Sequence, residues 1–92
     1  MTFKEHFRLK TIEYMTNLID NATDICTLYN GLPKDFYPRT DMINWLLEEG
    51  REEFGEECFC RGSLISWLRG DTKPSDSKHA DFISNKTGLS WG

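Results

Sequence analysis

Three cysteines, two histidines and a run of glutamates are the residues of this 92-residue chain whose types suit catalysis or metal binding. Cys58-Phe59-Cys60 lacks the wider spacing and second ligand pair of a structural zinc site. His79 falls on the polar side of its helix and His6 on a solvated face, so neither completes one. An odd cysteine count with one close pair makes no disulfide framework, and all three thiols are expected reduced and buried. There is no Gly-x-Ser-x-Gly elbow, phosphate loop or paired metal-ligand helix. Glu52, Glu53, Glu56 and Glu57 are spaced as a solvated helix face, not as two converging carboxylates. The expectation is a non-enzyme with no catalytic residues, no metal site and no cofactor.

A different chemistry is carried by RGSLISWLRGDTKPS, residues 61–75: a short helix with an arginine at each end, a glycine stop, and a basic turn before Pro-Ser. A helix presenting arginine and small polar side chains can enter a DNA major groove about 12 Å wide, where arginine pairs bidentately with guanine and serine bonds several base edges. Arg61, Ser63, Ser66 and Arg69 are the expected base readers. Thr72, Lys73, Lys78 and the helix start near Ser75 are the expected phosphate contacts, because helix N-termini attract anions. This requires the rod between Gly62 and Gly70 to stand outward. About four phosphate contacts per chain bind weakly at physiological salt, so two copies on half-sites a helical turn apart, a homodimer on double-stranded DNA, are expected.

The formal charge of −4 hides a segregation. Residues 1–40 balance, residues 41–60 carry seven carboxylates against Arg51 for a net −6, and residues 61–92 carry a net +2. A polyanion is therefore expected to approach only the C-terminal third. The acidic tract supports a rival reading, in which Glu52, Glu53, Glu56 and Glu57 dock a basic groove on a host protein, as in small inhibitors of phage or mobile-element type that imitate DNA.

The elements that position these groups follow from periodicity. Phe7, Tyr14, Met15, Leu18, Ile19, Ala22, Ile25, Cys26 and Tyr29 recur at steps of three and four, predicting one long helix over 3–29, or two broken near Asn21. Asn30-Gly31, Pro33 and Pro38 make a connector of about ten residues. Thr40 caps the next helix and Gly50 stops it. Residues 51–58 form a further helix with Phe54 and Cys58 inward, residues 63–69 another, and Pro74 or Ser75 starts the last, which Gly88 ends. Trp45, Trp67 and Trp91 are expected in or at the rim of the core. No segment alternates with period two, so the chain is read as all-α, a compact single domain (1–92) of about five helices.

REEFGEECFCRGSLISWLRG, residues 51–70, resembles the helix-turn-helix of Cro/CI-like (XRE-like) regulators of bacteria, phages and plasmids. In that motif a helix of about eight residues meets a second at a steep angle. Phe54, Gly55, Cys58, Cys60, Ile65 and Leu68 match its apolar and small positions if Arg51 is the first. WLRGDTKPS looks like the family's tryptophan, glycine, loop and Pro-Ser helix start, and ISNKTGLSW like its next helix end. The likeness covers residues 40–91, with residues 1–30 left as an N-terminal extension suited to dimerisation. Phe59 stands where the family usually has a turn glycine, and matching Trp67 instead shifts the register and turns Leu64 rather than Ile65 inward. The resemblance implies a DNA-binding transcriptional regulator without chemistry on DNA. No apolar run approaches the roughly 20 residues that span a bilayer, so a cytoplasmic, membrane-free protein is expected.

Overall fold

Side-chain hydrogen bonds cut the expected N-terminal helix into three. The computed structural model describes residues 2–91, and within them helices α1 (Phe3–Arg8), α2 (Glu13–Asn21) and α3 (Ile25–Gly31) cover the segment read as one long rod. Thr2 and Glu5 form a reciprocal capping box at the start of α1. Thr11 bonds back to the Arg8 carbonyl at 3.3 Å and Ile12 is extended, so the chain turns between α1 and α2. Asp24 then accepts from the Thr27 amide at 2.7 Å and the Thr27 hydroxyl at 2.8 Å, starting α3 in a new direction. The three-four periodicity is nonetheless used: Phe3, Phe7, Met15, Ile19, Ile25, Leu28 and Tyr29 are all buried, while Tyr14 is exposed. The expected break near Asn21 is present, but a second break after Arg8 corrects the N-terminal segment to three short helices folded into the common core.

A five-residue link leads to α4 (Tyr37–Phe54), which starts before Thr40 and carries Pro38 in its first turn, where a missing N–H costs no bond. Gly50 does not stop this helix. It sits buried inside it, and a Cβ there would come within 2.8 Å of Phe59 Cζ and 3.0 Å of Cys58 Sγ. The true stop is Gly55 at φ 60°, followed by a 3-10 turn (Gly55–Glu57). The separate helix expected over 51–58 is therefore the tail of α4 plus that turn, and residues 55–60 join α4 to α5 (Arg61–Arg69).

Leu64, Trp67 and Leu68 are buried and Ile65 only half-buried, so Leu64 is the inward position of α5. Gly70, at φ 85°, closes it, and α6 (Ser77–Thr87) begins at an Asp76 cap and ends at Gly88. Six helices and no strand make the fold all-α among the described residues, with one contiguous core fed by every helix. Leu89 is buried, Trp91 Nε1 donates to the Ala80 carbonyl at 3.0 Å, and the Ile25 amide donates to the Ser90 carbonyl at 3.0 Å. Ser90 is thereby tied to the start of α3 and Trp91 to α6.

Two measurements check this account. By chemical denaturation, Gly50→Val lowers unfolding free energy by about 1 to 3 kcal/mol through overpacking against Phe59. Gly62→Ala, where an added Cβ meets nothing within 4 Å, raises it by about 0.4 to 1 kcal/mol; a neutral Gly50→Val rejects the packing assigned here. The Thr27 amide, then its hydroxyl, hold the Asp24 carboxyl below the ordinary aspartate value. A depressed folded value means the cap stabilises fully above the unfolded value and is lost as pH falls through the folded one. Asp24→Ala therefore lowers the denaturation midpoint at neutral pH, and its gap from wild type closes in acid below the ordinary aspartate range.

Candidate nucleic-acid interface

The outward strip of α5 is what its buried side leaves over. With Leu64, Trp67 and Leu68 turned in, Gly62, Ile65, Ser66 and Arg69 share the opposite stripe at helical spacing, of which Gly62 and Arg69 are exposed and Ile65 and Ser66 half-buried. The rod is not free along its whole length. Helix α3 packs along it, with Cys26 Sγ 3.4 Å from the Trp67 carbonyl and the Asn30 side-chain amide donating to the Arg69 carbonyl at 3.2 Å.

The four expected readers have different settings. Arg69 is exposed and pairs with Asp71 at 3.5 Å, both side chains more than half accessible, a pair that costs little to open. Arg61 is exposed but donates from Nη1 to Asn44 Oδ1 on α4 at 2.6 Å. Ser63 lies 3.1 Å from Cys60 Sγ, at the start of α5. Ser66 shares a hydroxyl contact of 3.0 Å with Thr72, and its carbonyl accepts the Asp71 and Thr72 amides, so it holds the 70–73 turn against α5. Arg61 and Arg69 are eight residues apart, about 12 Å along the axis, or three to four base steps.

The expected phosphate contacts divide. Thr72, Lys73 and Ser75 are exposed on the loop after α5. Lys78 lines a separate groove between α4 and α6 with Glu53, Phe54, Asp81, Phe82, Asn85 and Lys86. The helix start itself is taken: Asp76 Oδ1 accepts the Lys78 amide at 2.9 Å, placing a carboxylate where an incoming phosphate was expected.

Cations from outside the C-terminal third lie beside the end of α5. Tyr29, Asn30, Lys34, Arg39, Ile65, Arg69 and Asp71 line a cleft of about 490 Å³ between α3, the start of α4 and the end of α5. The Arg39 guanidinium lies 4.0 Å over the Tyr29 ring and donates to the Leu32 carbonyl at 3.2 Å. Lys34 and Arg39 were not legible as site residues, since residues 1–40 carry no net charge and only the folding back of α3 brings them to Arg69.

Glu52, Glu53, Glu56 and Glu57 are all exposed, and none forms an ion pair among the described residues, in contrast to Glu49, which pairs with Lys86 at 3.3 Å. His79, expected on a polar face, is half-buried against Phe54, Phe59 and Trp67, with Nε2 2.9 Å from the Glu57 carbonyl. No group of His, Cys, Asp and Glu able to hold a metal occurs among the described residues, and no helix there is long and apolar enough to cross a membrane. No protein-family model, curated protein or solved structure matches this chain.

The cysteines are free, but none is fully buried: Cys26 and Cys58 are half-buried and Cys60 is exposed, which corrects the expectation that all three are buried. Hydrogen bonds from the Ser63 hydroxyl and then its amide lower the Cys60 thiol below the ordinary cysteine value. Burial pushes Cys26 and Cys58 up. Since the thiolate is the nucleophile, iodoacetamide at neutral pH modifies Cys60 first, and its rate-pH curve turns at lower pH than the other two. Ser63→Ala moves that curve upward. Mass spectrometry showing Cys26 or Cys58 modified ahead of Cys60 contradicts the assignment.

Proposed function

We propose that this chain is a sequence-specific double-stranded DNA-binding transcriptional regulator of the Cro/CI-like kind, with α5 entering the major groove. The observation that supports it most is the continuity of two surfaces: the outward stripe of α5 ends at Arg69, and Arg69 is also a wall of the cleft that holds Lys34 and Arg39. Base reading falls mainly to Arg69 and Arg61, with Ser63 and Ser66 lining the path. Thr72, Lys73 and Ser75 take the backbone beside the end of α5. Arg61 exchanges its bond to Asn44 for a base edge on docking. Two copies act together, because one nine-residue helix with few phosphate contacts binds weakly at physiological salt. The apolar side chains that the core leaves exposed, Leu9, Ile12, Tyr14 and Tyr37, offer surface for that pairing.

A second reading has its own observation. The four glutamates at the end of α4 and in the 3-10 turn are exposed and unpaired among the described residues, as an acidic inhibitor of a basic host groove requires.

Polarisation titrations after selection from a random duplex pool separate the two. Arg69→Ala costs about 1 to 3 kcal/mol on the selected duplex and relaxes its sequence preference. Arg61→Ala does so less, since its guanidinium already has a partner. Reversing Glu52, Glu53, Glu56 and Glu57 to lysine leaves sequence preference intact. Wild-type protein that selects no duplex at two salt concentrations removes the regulator reading in favour of the acidic one.

A further inference from the structure

The cleft between α3, the start of α4 and the end of α5 has a physical organisation that the stripe on α5 lacks. Its three cations come from three elements: Lys34 from the α3–α4 link, Arg39 from the first turn of α4, and Arg69 from the last turn of α5. Against them stands one carboxylate, Asp71, already paired with Arg69. Arg39 is held in place before any ligand arrives. Its guanidinium carbon lies 4.0 Å from the ring centre of Tyr29, a residue almost fully buried, and one of its nitrogens donates to the Leu32 carbonyl. A guanidinium carries five N–H donors in a fixed fork, so most of them stay available, and little side-chain freedom is lost when they are used. A planar, fixed, cationic donor set beside a flexible ammonium suits a phosphate oxygen pair.

The shape distinguishes the source of that phosphate. Sites for small molecules are enclosed and mostly apolar with a few placed polar groups. This cleft has Ile65 as its one aliphatic wall and continues along α5 through Arg69. An occupant that touches the α5 stripe runs into it, which is the geometry of a polymer.

We propose that this cleft seats the backbone phosphodiester of the bound duplex, with Lys34 and Arg39 as phosphate contacts that fix how deeply and at what angle α5 enters the groove. The proposal rests on the regulator reading above. Phosphate contacts position without reading bases, so their loss weakens selected and unrelated duplexes alike. Each removes about 0.9 from the slope of log affinity against log salt, or about five-fold in affinity near physiological salt.

The test is polarisation titration of wild type, Lys34→Ala, Lys34→Glu, Arg39→Gln and Arg69→Ala against one selected and one unrelated duplex at three sodium chloride concentrations. Thermal melts of each variant accompany it. Lys34 is on an exposed link, so its variants report on the cleft even where Arg39→Gln loosens the fold. The expected result is that Lys34→Ala and Arg39→Gln lower affinity for both duplexes by similar factors and flatten the salt slope, Lys34→Glu does so more strongly, and Arg69→Ala alone also narrows the gap between the two duplexes. Wild-type binding with an unchanged slope in both Lys34 variants overturns the cleft assignment and leaves the regulator reading standing. The same unchanged slope together with amide shifts at residues 34 and 39 on adding inorganic phosphate overturns it in favour of a free anion. Absence of duplex binding by wild type overturns the regulator reading and this extension with it.

Discussion

The contact between the Phe59 ring and Gly50 decides how the second half of this molecule is arranged. A glycine inside a helix costs about 0.5 to 1 kcal/mol relative to alanine, and here that cost admits an aromatic ring against the helix backbone. The same ring meets Trp67 of α5 at 5.5 Å and His79 and Phe82 of α6 at 5.3 and 6.3 Å between centroids. Three helices are thus set by one side chain on the link between two of them. Because Trp67 must face that ring, Leu64 and Leu68 turn into the core beside it, and the stripe through Gly62, Ile65, Ser66 and Arg69 is what remains outside. Interiors packed at crystal density do not shift by small degrees, so the pointing of α5 is as fixed as the ring.

The first thirty residues hold the other flank. Asn30 bonds the last carbonyl of α5, Cys26 sits against Trp67, and Tyr29 presents the face on which Arg39 lies. These residues do structural work for the candidate surface, where a detachable extension would do none. Their folding back gathers Lys34, Arg39 and Arg69 from distant parts of the chain, and so residues 1–40, which carry no net charge, contribute two of the three cations in the cleft.

What could be read from the sequence was whatever local chemistry decides. The helical class followed from three-four spacing, and Gly70 and Gly88 ended helices as expected, each with positive φ. Gly50 carried the same local signal and meant the opposite, because its reason is a ring nine residues further along the chain. The apolar stripe over 3–29 mostly faces the core, with Tyr14 the exception, and the break near Asn21 was among the readings; the break after Arg8 was not, since Thr11, like Asp24 further on, redirects the backbone through bonds that periodicity does not register. In the site, the exposure of Arg61 and Arg69 was legible from spacing. The choice between Leu64 and Ile65 was not, as it hangs on where Trp67 meets Phe59. Lys78 was assigned to phosphate from its place near a helix start, but the neighbour across its groove, Glu53, is a tertiary fact.

The net charge of −4 is a poor guide to what approaches the cleft, and α4 shows why. Arg39 is in its first turn and Glu53 next to its last residue, about 21 Å apart along the axis. That is more than twice the roughly 8 Å over which charges are screened at physiological salt, so an anion at the cleft is shielded from most of the glutamates. The order of these charges also runs against the helix dipole, which favours acid at the start and base at the end by about 0.3 to 1 kcal/mol each. Arg51, also in the last turn, is the exception that sits where the dipole favours a cation. Arg39 is drawn to the unfavourable end by Tyr29 and the Leu32 carbonyl, and Glu52 and Glu53 at the other end, unlike Glu49 with its partner Lys86, form no ion pair among the described residues to hold them there. Both ends of α4 therefore carry charge that the isolated helix does not need, the cationic end built into a cleft and the anionic end left to solvent.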